Sequence, residues 1–175
     1  MVKTMLALII LACFIYAAFA YSPSDVAVAN VAPRTTEEVE ANTSYLEAHL
    51  KGVLIGQGSV IETISSKYNV DPLLLVAIML HESANGTSDF IRNRNNPAGL
   101  KWRNGETWLD GNSHAKFATL EDGISRLGLT MYEYKVQYKR NTLYKIGSVY
   151  AEDASWYKKV AKIYKNLGGS EVKTK

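Results

Sequence analysis

The feature that most constrains this chain is an unbroken apolar run of eight residues, Leu73 to Leu80. Asp71 and Pro72 come directly before it, and both favour a helix start, since aspartate caps a first turn and proline suits the first helical position. The run is apolar on every side of a helix, which predicts a central core helix rather than a surface helix. This helix should end near Glu82, which leaves a carboxyl group at the edge of the core.

The position of Glu82 predicts an unusual carboxyl group. It falls in the last turn of the helix, where the backbone carbonyl dipoles disfavour a negative charge, and its apolar neighbours reduce its solvation. Both effects should raise its pKa. A carboxyl group that stays protonated near neutrality can act as a general acid, which glycoside hydrolysis requires beside the leaving oxygen. By position alone, however, an ordinary exposed glutamate explains the pattern better, since a glutamate at a helix end is usually just exposed. A zinc motif does not start here, because HExxH would need a histidine where Asn85 stands.

The N-terminus predicts export. Lys3 precedes sixteen almost wholly apolar residues, 5–20, and Ala18-Phe19-Ala20 is a small-x-small pattern that a signal peptidase could cut. Sixteen residues are short against the roughly 20 that span a bilayer. We therefore interpret residues 1–20 as a signal peptide or, if uncleaved, a membrane anchor. In either case the domain should lie outside the cytoplasm, in the cell wall, the periplasm or the extracellular space.

The position of the only cysteine excludes several kinds of site from the exported domain. Cys13, the only cysteine, lies inside the export segment. The exported part therefore lacks the residues for a disulfide scaffold, a cysteine nucleophile or a thiolate zinc site. We expect no metal or organic cofactor. Residues 21–34 should be a linker, 35–170 a single domain and 171–175 a tail.

Local signals predict an α+β domain that is mainly helical. Capping boxes at Thr35 and Thr119 each mark a helix start, the first helix running to about Leu50. Further helices are predicted over 59–68, from Asp71 through the apolar run, over 142–146, and from 153 or 155 to 168. Residues 90–114 are rich in Asn, Gly and Arg, with short strand-capable pieces, and predict a small β-hairpin lobe.

Charge is distributed unevenly along the chain. Residues 21–89 carry three Lys or Arg against nine Asp or Glu, whereas residues 90–175 carry sixteen against eight. The basic second part would attract polyanions, which outside a bacterial membrane are anionic wall polymers. An ordinary solvated surface explains the same pattern. We expect no nucleic-acid partner, since no nucleic-acid motif is present. A membrane contact is expected only through residues 5–20.

Four motifs in order resemble one enzyme family. They are HESANGTS (81–88), RNRNNPAGLKW (92–102), AKFATLEDGI (115–124) and VYAEDASWYKKVAKI (149–163). Together they resemble the glucosaminidase group of wall hydrolases, glycoside hydrolase family 73 and its close relatives, over about residues 59–167. The matching positions of the first two motifs are Glu82, Ser83, Gly86, Ser88, Asn96, Gly99, Leu100 and Lys101.

This resemblance implies a lysozyme-like fold with a small β-hairpin lobe. It also implies cleavage of a β-1,4 bond in the glycan strands of peptidoglycan, typically the bond after N-acetylglucosamine. Glu82 takes the general-acid position of the family. Tyr150 takes the position of a tyrosine that lines the catalytic centre, although core packing would also explain it. Trp156 and Phe117 are interpreted as core residues rather than substrate contacts.

The sequence specifies a second catalytic carboxylate less strongly than it specifies Glu82. Some relatives place one on the β lobe, where Glu106 and Asp110 are the candidates and Glu106 fits better by its distance from Phe117. An inverting enzyme would hold this base roughly 6.5–9.5 Å from the acid. Alternatively, the 2-acetamido group of the substrate attacks, and Glu106 is then a solvated hairpin charge.

The candidates for substrate binding lie in and around the same lobe. Trp102 and Trp108 offer flat apolar faces for sugar rings, though Trp108 is almost as easily explained by packing. Asn96 should position the lobe or contact an acetamido group. Gly99 and Asp110 complete this set.

Three other functions remain open from the sequence. A lytic transglycosylase of the same superfamily would also use one glutamate, but those enzymes usually carry Gly-Leu-Met-Gln where this chain has Gly99-Leu100-Lys101-Trp102. A muramidase would cut the alternate glycosidic bond. A non-catalytic wall-binding or assembly module would use only the basic surface.

Overall fold

The computed structural model describes residues 35–103 and 113–170. Helices dominate these residues, and a 3₁₀ helix at Gly52–Leu54 lies between the first two α helices. None of the described helices is both long and apolar enough to cross a bilayer. The α helices are, in order, α1 Thr36–Glu47, α2 Gly58–Tyr68, α3 Pro72–Glu82, α4 Asp89–Arg94, α5 Leu120–Val136, α6 Leu143–Tyr150 and α7 Trp156–Asn166.

The central core helix predicted from the apolar run is confirmed as α3. Asp71 caps it by accepting a hydrogen bond from the backbone N–H of Leu73 at 2.8 Å, and Pro72 is the first helical residue. Residues 75–80 are all buried, so every side of the helix contacts protein. α7 packs extensively against α3, with α2 and α1 on its other sides. α3 therefore carries Glu82 from the centre of the domain to its surface.

Both predicted capping boxes are confirmed. Thr35 and Glu38 exchange side-chain and backbone hydrogen bonds at the start of α1, and Thr119 and Asp122 do the same at the start of α5. Each box satisfies N–H groups that a helix start leaves without an intrahelical partner. These local bonds fix where the two helices begin.

Three helices end at other residues than the sequence predicts: α7 ends at Asn166, two residues before its predicted end, and α1 and α6 differ more. α1 ends at Glu47 rather than near Leu50, because the chain turns there towards Gly52, which adopts φ +58°. α6 continues to Tyr150, four residues beyond the predicted end. Its buried face explains the extension, since Gly147 lies directly against the ring of Trp156 at the start of α7.

The mainly helical class is confirmed, but the β-hairpin lobe is reduced in the described residues to one antiparallel bridge between Lys101 and His114. Backbone bonds from Trp102 to Ser113 (3.1 Å) and from Ala115 to the Leu100 carbonyl (2.8 Å) flank it. The start of the predicted lobe is instead helical, as α4. The rest of the lobe, 104–112, lies outside the described residues, as do 1–34 and 171–175.

The interpretation of Trp156 as a core residue is confirmed, since its side chain is 2% exposed. Phe117 is partly buried and packs against the same core. Neither side chain offers a broad face to solvent. Trp156 nevertheless has a polar contact of its own, which belongs to the candidate site.

Candidate active site

Glu82 is the last residue of α3, and its carboxyl group is partly buried. The indole N–H of Trp156 donates a hydrogen bond of 2.5 Å to its Oε1 atom. Burial raises the pKa of Glu82 above its usual 4.5, while the Trp156 hydrogen bond and the nearby His81 pull it back in part. The carboxyl group therefore holds its proton to higher pH than an exposed glutamate, as its place in the sequence predicts.

The turn after Glu82 is held by Ser83, which is 1% exposed. Its hydroxyl donates to the Met79 carbonyl at 2.5 Å and accepts from the N–H of Gly86 at 2.8 Å. Gly86 adopts φ +76°, and a Cβ there would come 2.2 Å from the carbonyl oxygen of Lys51. The Glu-Ser-x-x-Gly spacing thus lets the chain reverse sharply at the end of α3 and fixes the backbone beside the carboxyl group.

Gly99 lies directly against the Glu82 carboxyl group. It adopts φ +60°, and a Cβ at this position would lie 3.6 Å from Glu82 Oε2. A glycine here serves two needs, because it accepts the left-handed backbone and leaves the space beside Oε2 open. Among the described residues, no side chain or backbone group donates a hydrogen bond to Oε2.

Asn96 holds the loop that carries Gly99. Its amide donates to the backbone carbonyls of Leu100 (2.8 Å) and Ala115 (2.9 Å), and its carbonyl oxygen accepts from the N–H of Leu100 at 2.9 Å. The residue is 1% exposed. Of the two roles predicted for Asn96, the structure favours positioning of the lobe, since these backbone bonds occupy its polar atoms.

Tyr150 approaches the same loop from the end of α6. Its hydroxyl donates to the Ala98 carbonyl at 2.6 Å, and its ring lies 5.1 Å from the Trp156 ring between centroids. Burial, followed by the charge of Glu82, raises the pKa of Tyr150 well above 10. The phenol therefore remains protonated, and it can donate but does not serve as a base near neutrality.

A groove of about 580 Å³ runs past this cluster. Residues 99–103 form one wall, while α5 and residues 149–152 form the other. Glu82 is not itself a wall residue, but it stands beside two of them, Gly99 and Tyr150. Trp102 lies in the first wall and is partly exposed, as a sugar-stacking residue would need to be. A smaller pocket of about 260 Å³ lies at Asp71, the opposite end of α3.

Ionic contacts tie the groove walls together. Both guanidinium nitrogens of Arg103 pair with the carboxylate of Glu133 on α5, at 2.8 and 2.6 Å. Lys101 and Glu152 form a looser, exposed pair at 3.5 Å across the groove. The bidentate pair holds Arg103, at the start of the predicted lobe, on α5 more strongly than a single contact would. The exposed pair of Lys101 and Glu152 can open to admit a ligand.

The structure thus brings Glu82, Gly99 and Tyr150 together, with Asn96 behind the loop and Trp102 along the groove. Glu106, Trp108 and Asp110 lie outside the described residues, and their predicted roles remain predictions. Sequence reasoning missed the bonds of Trp156 and Arg103, because each partner lies far away along the chain. Within 35–103 and 113–170, no three His, Cys, Asp or Glu residues are grouped so as to hold a metal ion.

A helical domain that holds a partly buried carboxyl group with a raised pKa beside a groove has features that glycoside hydrolysis requires. Residues 58–169 match the family model Glucosaminidase, described as mannosyl-glycoprotein endo-beta-N-acetylglucosaminidase. Because this match covers more than half of the sequence, the chain belongs to the glucosaminidase family, and the resemblance seen in the four motifs is confirmed. No curated protein is significantly similar to the chain in sequence.

Solved structures of one bacterial protein share the fold. Autolysin E of S. aureus superposes with a TM-score of 0.60 at 22% identity, over 77% of this chain and 66% of that one. Its catalytic Glu-to-Ala mutant, in complex with the disaccharide NAG-NAM, gives 0.59 at 20% identity, over 74% and 65%. This chain spans slightly less than two thirds of the length of the protein in that complex. At such identities the likeness establishes an autolysin-like fold.

Proposed function

We propose that this protein is an exported peptidoglycan hydrolase, an endo-β-N-acetylglucosaminidase that uses Glu82 as its general acid. The observation that carries the proposal is the open space beside Glu82 Oε2, where a Cβ on Gly99 would lie only 3.6 Å away. A partly buried carboxyl group with a raised pKa faces that space at the side of a groove. Family membership supplies the reaction class, and the N-terminal segment supports export.

In this reaction, the glycosidic oxygen of the scissile bond enters the space beside Gly99. Glu82 transfers its proton to that oxygen while the bond from N-acetylglucosamine C1 to the oxygen breaks. A water molecule then supplies the hydroxyl group at C1, and its second proton restores the Glu82 carboxyl group directly or through solvent. The products are one chain with a new reducing N-acetylglucosamine end and one with a free hydroxyl group.

Two different groups would serve to activate the water or stabilise C1: a carboxylate of the protein or the acetamido group of the substrate. Glu106 would act as the base in an inverting mechanism, and Asp110 is the second candidate carboxylate. The substrate 2-acetamido group would otherwise attack C1, so that neither carboxylate is essential. Glu106→Gln and Asp110→Asn together separate these cases, since loss of a required base should lower kcat by about 100-fold or more in one of them, whereas substrate assistance predicts little loss in either.

The groove supports a glycan strand as the ligand. Trp102 and the aromatic rings of Tyr134 and Tyr138 lie along it, and such rings stack on the apolar faces of sugars. Its polar edges come from the Arg103–Glu133 pair and Thr130.

Digestion of purified peptidoglycan tests the reaction. The full chain, Glu82→Gln and the matched exposed variant Glu40→Gln would each be incubated with peptidoglycan, and the fragments reduced with borohydride and weighed by mass spectrometry. Reduced N-acetylglucosamine ends from the parent and Glu40→Gln, but not from Glu82→Gln, are the expected result. Reduced N-acetylmuramic acid ends would make the protein a muramidase instead.

A lytic transglycosylase and a non-catalytic module would each give a different result in this digestion. Anhydro ends, lighter by one water, would identify the transglycosylase. If folded parent protein binds the wall and releases no fragments, the protein is a wall-binding module and the hydrolase proposal fails.

The basic surface of α7 suits an anionic wall polymer as a second partner. Lys158, Lys162 and Lys165 are exposed along one side of this helix, which carries no acidic residue. Binding to purified walls with and without their phosphate polymers, at low and high salt, tests this role. Equal binding to both walls would show that the lysines form an ordinary solvated surface.

A further inference from the structure

Trp156 has a role that core packing does not explain. Its ring is buried, yet its N–H donates a hydrogen bond of 2.5 Å to Oε1 of Glu82, a residue 74 positions away along the chain. A buried indole N–H needs an acceptor, but a backbone carbonyl would serve equally well. In this chain the acceptor is the carboxyl group at the candidate catalytic centre.

We propose that Trp156 is a positioning residue that fixes the acidic proton of Glu82 on Oε2, the oxygen that faces Gly99 and the groove. The inference rests on the proposed function, because only a general acid needs its proton on a defined oxygen. Trp156 itself touches neither the groove nor the reacting atoms.

The chemistry of the two groups determines the proton's position. An indole N–H can only donate, so the oxygen that it contacts must accept. In a neutral carboxyl group the carbonyl oxygen accepts better than the hydroxyl oxygen. Protonation of Oε1 would therefore weaken the Trp156 hydrogen bond, whereas protonation of Oε2 preserves it.

The surroundings of Oε2 complete the arrangement. Oε2 accepts no hydrogen bond from any described residue, and the glycine at position 99 leaves the approach to it open. A proton on Oε2 is therefore available to a glycosidic oxygen that enters the space beside Gly99. A proton on Oε1 would lie against the indole and would be inaccessible to substrate.

The same contact adjusts the acidity of Glu82. Burial raises its pKa, and the Trp156 hydrogen bond opposes that rise by stabilising the anion. Among the described residues, the ionisable neighbours are His81 on α3, whose charge also stabilises the anion, and Tyr150 at the end of α6. The phenol of Tyr150 donates to the Ala98 carbonyl, so Trp156 is the described side chain that donates to Glu82.

The test replaces the N–H without changing the packing. Position 156 of the full chain would carry 3-benzothienylalanine, in which sulfur replaces the indole N–H in a ring of nearly the same size. The same replacement of Trp102 is the matched control for the two carboxyl signals only, since Trp102 lines the groove. Trp156→Phe, made with a standard amino acid, is a second variant that also removes the N–H. With ¹³C-labelled glutamate, the Glu82 carboxyl signal is identified by its loss in Glu82→Gln.

Two measurements report on the carboxyl group itself. In the 156 variant, the titration midpoint of Glu82 should shift upward, because the anion loses its donor. The infrared C=O stretch of protonated Glu82 should also move to higher wavenumber, because the carbonyl oxygen loses its hydrogen bond. The Trp102 control should change neither. We expect kcat to fall on the order of tenfold, with KM nearly constant.

The outcomes separate this inference from the proposed function. An unchanged midpoint overturns the role of Trp156, and an unchanged C=O stretch places the proton on Oε1, even if the enzyme is active. If both signals shift but the parent cleaves no peptidoglycan, the hydrogen bond stands while the hydrolase proposal fails. A shift of equal size in the Trp102 control would also contradict the inference.

Discussion

The phenol of Tyr150 donates a hydrogen bond of 2.6 Å to the backbone carbonyl of Ala98, the residue next to Gly99. This bond ties the end of α6 to the loop beside the candidate acid. Tyr150 therefore acts on the site at least partly through the backbone it holds, whether or not it also touches substrate.

Tyr150→Phe should lower activity by removing that bond while leaving the ring in place. We expect the free energy of unfolding to fall by about 1–2 kcal/mol, as for other buried hydrogen bonds, and kcat/KM to fall about tenfold because the loop shifts. Thermal unfolding and initial-rate kinetics measure the two effects.

Tyr138→Phe is the matched control for stability, since Tyr138 is 59% exposed and no hydrogen bond of its hydroxyl is described. It should leave stability unchanged. If Tyr150→Phe loses stability without losing activity, Tyr150 is only a packing residue.

Asn96→Ala should be the most destabilising change near the site. It leaves the Leu100 N–H without its acceptor, and it removes one of two donors from the Leu100 carbonyl, which keeps the Ala115 N–H, and from the Ala115 carbonyl, which keeps Arg94. We expect a loss of about 2–4 kcal/mol, since a buried group left without a partner costs about 1–3 kcal/mol and each further lost hydrogen bond about 0.5–1.5 kcal/mol. Urea denaturation measures the loss.

The exposed residue Asn166 provides the comparison for Asn96. Asn166→Ala should change stability by no more than about 0.5 kcal/mol. Equal, small effects at both positions would mean that the Asn96 bonds do not hold the loop.

Stability should depend on pH through Glu82. Its pKa is higher in the folded protein than the usual 4.5, because burial disfavours the anion. The folded state therefore binds this proton more tightly than the unfolded state, and the carboxyl group favours folding less as the pH rises from 4.5 through the raised pKa. Glu82→Gln, which stays neutral, should gain stability relative to the parent across that window.

Urea denaturation of both proteins at several pH values measures this difference. Glu40→Gln, which removes one exposed negative charge from α1, is the control. A constant difference between the parent and Glu82→Gln at all pH values would contradict a raised pKa.

Those parts of the fold that depend on neighbouring residues could be predicted from the sequence. Asp71 and Pro72 start α3, and Thr35 and Thr119 start α1 and α5, because each cap bonds to residues within three positions. The location of Glu82 at the end of a buried helix follows from the same logic. These features need no knowledge of what packs against them.

Contacts between distant segments could not be predicted in this way. The usual burial of large aromatic side chains predicts that Trp156 lies in the core, but it does not show which acceptor the N–H of Trp156 meets. Similarly, α4 was missed because a helix of six residues is too short to show a helical period in the sequence. The side chain of Arg94 bonds to the backbone carbonyls of 114 and 115, a tertiary interaction that only the folded chain contains.

Gly99→Ala tests the space beside the candidate acid directly. The added methyl group would lie 3.6 Å from Glu82 Oε2, an ordinary contact that the fold can accept but that occupies the position a glycosidic oxygen must enter.

Gly56→Ala is a matched control, because Gly56 also has a positive φ (+90°) and no atom within 4 Å of an added Cβ. Both variants should lose about 1–2 kcal/mol of stability to backbone strain, but only Gly99→Ala should lose kcat/KM, by about tenfold or more. Thermal unfolding and peptidoglycan digestion of the two variants in parallel measure the difference. Full activity in a folded Gly99→Ala protein would show that the substrate reaches Glu82 from another side.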